Sequence, residues 1–111
     1  MAAPQGSFRC EVEKSQDQYG AKVTTIKCQG RLVTENAREL TELVKPLIPL
    51  GGRIVIDLGD LNYLDSSGLG ALAGLKVSAI NQGFCILELV NVMPRVLELL
   101  RITNLKQLFS S

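Results

Sequence analysis

The chain of 111 residues predicts one α/β domain, core about residues 8–109, and three observations predict it. Two early segments carry strand patterns, one of period two and one rich in β-branched residues. Two later apolar runs, near residues 54–58 and 84–90, have the length of central strands. Segments of helical period separate these runs, so strands and helices alternate after an opening hairpin. The expected order is β-β-α-β-α-β-α with a short C-terminal helix. It gives a four- or five-stranded mixed sheet flanked by helices on at least one face, with parallel pairs joined by right-handed crossovers. Composition agrees: 46% hydrophobic with only 5% aromatic makes an aliphatic core rather than that of an aromatic-rich all-β barrel.

Residues 8–14 alternate Phe8, Cys10 and Val12 against Arg9, Glu11 and Glu13. A polar stretch ending at Gly20 makes the turn, and Val23, Thr24, Thr25, Ile26 and Cys28 form the second strand, a hairpin being the simplest connection. Thr34 is placed to cap a helix through Lys45, in which Ala37, Leu40, Val44 and Leu47 recur at helical spacing. Pro46 and Pro49 resist its continuation, and Gly51-Gly52 end it. Ile54-Val55-Ile56 reads as a fully buried central strand. A helix follows from Leu69 to about Asn81, closed by Gly83. Residues 84–90 form another buried strand. Pro94 opens a helix carrying Val96, Leu97, Leu99 and Leu100, and Leu105, Leu108 and Phe109 make an apolar close. The leucine stripe of residues 97, 100, 105 and 108 is read as core.

Several function classes fall away. Twelve basic and eleven acidic residues leave a net charge of +1, with no basic tract to recruit nucleic acid or an anionic membrane. The absence of histidine removes Ser-His-Asp and Cys-His catalysis and His-ligated metals. With no phosphate loop and no paired catalytic carboxylates either, an enzyme, a metal site and a cofactor are not expected. Asp57, Asp60 and Asp65 are read as turn formers and caps. Cys10, Cys28 and Cys85, odd in number and without a CxxC pair, are read as small core residues in a reducing cytoplasm. Residues 1–6 lack the pattern of a signal peptide, and no apolar stretch approaches the roughly 18 residues of a membrane span. A soluble, cytoplasmic protein is expected.

The junction Asp65-Ser66-Ser67-Gly68 carries the candidate chemistry. By pattern alone such a strand-to-helix junction is an ordinary cap. Two details point further. Capping needs one side chain, yet two hydroxyls are adjacent. Asp65 can itself cap the N–H groups of Ser67 or Gly68, with Ser67 a second cap, which frees Ser66. A hydroxyl beside a helix N-terminus is exposed and lies where backbone N–H groups tolerate a negative group, as a phosphorylation switch requires. At about 100° per residue, Leu72, Leu75 and Ala79 share one side of the helix. Ser66, Gly70, Ala73 and Val77 share the other, with Leu69 at its margin. That second side is small and apolar: either a partner docks there, or a second layer of the same domain covers it. Gly68-Leu69-Gly70 lacks the spacing of a dinucleotide loop. Close helix packing through Gly70 and Gly74 is the expected role of the glycines.

Taken together, these residues resemble the STAS domain family, the bacterial anti-sigma factor antagonists. The resemblance runs from about residue 8 to 109. It is most specific in Ile54-Val55-Ile56-Asp57-Leu58, in the stretch from Tyr63 through Asp65-Ser66-Ser67-Gly68 to Leu72, and in residues 84–92 with the leucine-rich ending. The resemblance implies that Ser66, after Asp65, is phosphorylated by a partner that is both anti-sigma factor and serine kinase. It further implies that the unphosphorylated form binds this partner and frees the sigma factor, and that a PP2C-type phosphatase restores it. Leu69, Gly70, Ala73 and Val77 then form the partner-binding surface, supported by Asp65, Ser67 and Gly68, on a monomer or weak dimer. Related STAS domains also serve as scaffold subunits of stress-sensing assemblies or of lipid-transport ATPase complexes, the alternative expectation.

Overall fold

The alternating N-terminal segment forms β1 (Phe8–Gln16) and pairs antiparallel with β2 (Lys22–Leu32) from Phe8 opposite Gly30 to Gln16 opposite Lys22. The structure, a computed structural model, describes residues 8–110, so the stretch read for a signal peptide lies outside the described residues. Asp17 closes the hairpin by accepting the Tyr19 and Ala21 N–H groups at 2.8 and 2.9 Å, with Gly20 in the left-handed region (φ +83°).

From β2 the chain enters α1 (Thr34–Val44), continues through a 3-10 turn (Lys45–Leu50), and forms β3 (Gly52–Leu64). Thr34 is the first residue of α1 rather than its cap, because its side chain is engaged elsewhere. Val33 holds the capping position, where the Asn36 side chain accepts its N–H at 2.7 Å. Next come α2 (Ser66–Gln82), β4 (Cys85–Val90), α3 (Pro94–Ile102) and α4 (Lys106–Ser110). Gly83 ends α2 with φ +87°, which an L side chain rarely adopts.

The sheet runs β1-β2-β3-β4, with β2/β3 and β3/β4 parallel. Strands laid down in this sequential order by right-handed crossovers put their helices on the same face. Burial agrees. Ile26, Cys28, Leu32, Ile54, Ile56, Leu58 and Leu87 are covered and meet Leu40 and Val44 of α1 and Leu72, Leu75 and Ala79 of α2. The opposite face, with Thr25, Lys27, Arg53, Val55 and Glu88, stays half-buried or exposed. Two expectations are thereby corrected. Val55 is only half-buried within the central strand, and β4 is an edge strand in which Ile86 is 54% exposed. Phe84 lies just outside that strand. One helical layer covers one face, so both strands alternate instead of being buried throughout.

β3 also runs past Leu58 to reach the candidate site. From the pair Lys27/Asp57 to Gln29/Asp60, β2 advances two residues and β3 three, and a second slip follows between Gly30/Leu61 and Arg31/Tyr63. These bulges carry β3 to Leu64, opposite Leu32, so that the ends of β2 and β3 lie side by side. Asp57 supports the first bulge, accepting the Gly59 N–H at 2.9 Å and the Asn91 side-chain amide at 3.1 Å. It braces a bulge inside the strand rather than forming a turn, and Asp60, read as a turn residue, also lies within β3.

The two sides of α2 should respond differently to truncation. Leu72→Ala, in the sealed core, is expected to cost about 2–5 kcal/mol, and Val77→Ala, on the open side, within about 0.5 kcal/mol. Urea denaturation of the two variants checks this.

Candidate functional site

The end of β2, the start of α1 and the start of α2 converge on the Asp65 carboxylate. Asp65 is the N-cap of α2, its backbone extended, and its Oδ1 accepts the Gly68 N–H at 2.9 Å. Its Oδ2 accepts both the backbone N–H of Thr34, at 3.1 Å, and the Thr34 hydroxyl, at 3.2 Å. The Thr34 and Ser67 hydroxyl oxygens are 3.0 Å apart. Since the single Thr34 proton goes to Asp65, Ser67 donates to Thr34. One carboxylate thus serves the first turns of two helices, with both helix dipoles favouring its charge. Donation by the Gly68 N–H holds its carboxyl below the usual carboxylate range. Partial burial opposes this, and the Thr34 and Ser67 donors reinforce it.

Gly68 is required by packing. A Cβ there would stand 2.2 Å from the Leu32 carbonyl oxygen and 2.9 Å from a methyl group of Leu64. The Asp65 N–H donates to that same Leu32 oxygen at 3.3 Å. The first turn of α2 therefore rests directly on the backbone end of β2.

Ser66 differs from its neighbours. It is exposed, and among the described residues its hydroxyl has no hydrogen-bond partner. Asp65, Ser67 and Gly68 sit in the positions foreseen as support, though Ser67 ties α2 to α1 instead of capping α2. Of the residues assigned to the partner surface, Gly70 is exposed, Ala73 half-buried and Val77 44% exposed. The face is open at Gly70 and Val77 and partly covered at Ala73. Leu69 is a correction: it is 6% exposed and belongs to the core, because its place at the margin of the face turns it toward the sheet. Gly70 and Gly74 are a second correction. A Cβ at either would meet nothing within 4 Å, so neither serves close packing; with Thr41, Lys45 and Ser78 they line an open groove between α1 and α2.

Sequence reasoning missed two residues. Ile80, 50% exposed, extends the apolar side by one turn and was visible in the spacing from Val77. Thr34, as the partner of Asp65 across 31 positions, left no sequence signal beyond its being a hydroxyl before a helix. Among the described residues no group of three or more His, Cys, Asp or Glu could hold a metal ion, and no helix is long and apolar enough to cross a membrane.

The site is thus an exposed serine hydroxyl beside an aspartate that accepts three hydrogen bonds, at the end of a mixed sheet covered on one face. Comparison with known proteins gives the class of the domain. The family model of the STAS domain matches residues 13–111, and the chain belongs to the STAS domain family. It is 35% identical over 88 residues to an anti-sigma-B factor antagonist of Staphylococcus aureus, spanning 78% of this chain and 81% of that protein. The fold is shared with an anti-sigma factor antagonist from Mycobacterium paratuberculosis, with a TM-score of 0.74 at 22% identity over 98% of this chain and 87% of that one. It is also shared with SpoIIAA of Bacillus, an anti-sigma factor antagonist. Its unphosphorylated form gives a TM-score of 0.68 at 19% identity over 91% and 84% of the two chains. Its phosphorylated form gives 0.68 at 18% over 89% and 86%.

Two outcomes follow from the junction. Gly68→Ala forces apart the contact with Leu32, an overpacking expected to cost about 1–3 kcal/mol in chemical denaturation, while Gly74→Ala, in open space within a helix, is expected to be neutral or stabilising. Asp65 also makes stability depend on pH. A carboxyl with its folded pKa below its unfolded value contributes fully above the unfolded value, near about pH 4. That contribution is lost as pH falls through the lower folded value. The melting temperature is expected to fall on acidification below about pH 5, and Asp65→Asn to flatten that fall.

Proposed function

We propose that this chain is a cytoplasmic anti-sigma factor antagonist, a regulatory binding protein rather than an enzyme, whose hold on its partner is switched by phosphorylation at Ser66. The observation that carries the reading is the unpartnered, exposed hydroxyl of Ser66 at the start of α2. Because the Ser66 hydroxyl has no hydrogen-bond partner among the described residues, a phosphate added to it breaks none of their hydrogen bonds. The bonds of Asp65 to Thr34 and Gly68, and of Ser67 to Thr34, do not involve Ser66. The helix N-terminus offsets part of the added charge of about −1.5 to −2.

The unphosphorylated domain would dock its partner on Ser66, Gly70, Ala73 and Val77, with Gly74 and Ile80 at the margins. These small side chains let another backbone approach closely. A hydrated dianion at Ser66, beside the charge of Asp65, would then have to be desolvated in the interface. The fold persists and the surface changes, so the switch is local. The partner consistent with this chemistry is an anti-sigma factor with serine kinase activity, and a PP2C-type phosphatase would reset the site. Membership of the family and the 35% identity to the Staphylococcus aureus antagonist support the reading.

Incubated with ATP and the anti-sigma factor kinase of the same genome, the protein is expected to take one phosphate, mapped by peptide mass spectrometry to Ser66, with Ser66→Ala unlabelled. Ser66→Asp is expected to bind that kinase on the order of a hundredfold more weakly while melting within a few degrees of the wild type. Full labelling of Ser66→Ala would move the site elsewhere. Equal affinity of Ser66→Asp would overturn repulsion as the mechanism.

A further inference from the structure

The hairpin holds a second chemical feature, remote in kind from Ser66. Cys10 of β1 stands directly opposite Cys28 of β2 in the antiparallel register. Directly opposed residues of such a pair have Cα atoms about 4.5–5.5 Å apart, within the roughly 4.4–6.8 Å that a disulfide spans. Both side chains lie on the sheet face toward the helices, where Cys28 is 1% exposed and Cys10 half-buried.

We propose that Cys10 and Cys28 are a redox pair in which a peroxide oxidises Cys10 and Cys28 resolves the product, closing a disulfide that clips the edge strand β1 to β2. The Cys10 thiolate attacks one peroxide oxygen. An S–O bond forms, the O–O bond breaks, and the departing hydroxide takes up a proton to leave as water. The sulfur of Cys28 then attacks that of Cys10. An S–S bond forms and the S–O bond breaks, and the hydroxide released takes the Cys28 proton, giving a second water. Two thiols and one peroxide thus yield one disulfide and two waters.

The surroundings divide the roles. Hydrogen bonding from the Cys28 thiol draws the Cys10 thiol down from its ordinary value, against burial and the charge of Glu39 on α1. The same bond, with burial, pushes Cys28 up. Cys10, half-buried on the edge strand and the more acidic of the two, is therefore the thiol that meets the oxidant, and Cys28, 1% exposed, the partner waiting beside it. Access comes from the edge: residues 11–16 of β1 are all exposed, and no further strand pairs with β1 among the described residues. Cys28 also sits at the slip between Lys27/Asp57 and Gln29/Asp60, where the parallel ladder is already irregular. Cys85 is an internal control. It is buried on β4, two strands from β2, and burial pushes its thiol up.

The reduced full chain, treated with hydrogen peroxide, is expected to lose two of its three titratable thiols and to give a Cys10–Cys28 cross-linked peptide by mass spectrometry. Cys85 stays free, and dithiothreitol restores all three thiols. Amide exchange across β1 is expected to slow about tenfold or more on oxidation. Cys10→Ser should leave Cys28 unreacted, and Cys28→Ala should leave a Cys10 sulfenic acid that dimedone traps. If Cys28→Ala fails to fold, the Cys10→Ser variant and the wild-type peptide map decide the matter. Three thiols surviving peroxide, Cys10 passing to the sulfinic acid while Cys28 remains a thiol, or a cross-link through Cys85 or to a second chain would each overturn the proposal. The result is independent of phosphorylation at Ser66.

Discussion

The Asp65 carboxylate is the constraint on which the rest of the site depends. One oxygen takes the Gly68 N–H of α2, and the other takes the backbone and hydroxyl of Thr34 on α1. An aspartate that merely capped its own helix would leave the two helices free to adjust against each other. Shared between them, it locks the start of α1 to the start of α2, and the Ser67 hydroxyl repeats the tie. The Leu32 carbonyl completes the junction, accepting from the Asp65 N–H and leaving no room for a side chain at Gly68. Ser66 is the hydroxyl this lattice does not use, which is why it is the one available to chemistry.

The sheet brings these groups together. β2 and β3 are parallel, so both deliver their carboxyl ends to the same edge, where the following helices begin. Two bulges on β3 let it end opposite Leu32. Sequential strands and right-handed crossovers place the helices on one face. With a single helical layer, no second layer of described residues lies over the outer side of α2, which remains a small-residue surface beginning at Ser66.

Much of this was legible locally. Period two in residues 8–14, the apolar run at 54–58 and the helical spacing of Leu72, Leu75 and Ala79 each fix which side of an element is apolar. Asp65 was recognisable as a cap, since a carboxylate followed three positions later by glycine can reach that N–H within one turn. The length of β3 was not legible, because a bulge interrupts the alternation by which a strand is recognised. Leu69 was misplaced for a related reason: at the margin of a helical face, a small rotation of the helix against the sheet decides between core and surface.

By itself, the sequence determined the order of elements, the aliphatic core, the exclusion of histidine chemistry and the junction at which a spare hydroxyl stands. These follow from the composition of neighbouring residues and the geometry of a single helix or strand. Only the tertiary structure decided that Thr34 meets Asp65, that Gly70 and Gly74 face open space, and that Cys10 lies opposite Cys28. Each of these is a relation between distant segments, set by strand register and by which layer lies across from which. Periodicity tells a side chain which way to point; the fold decides what it meets there.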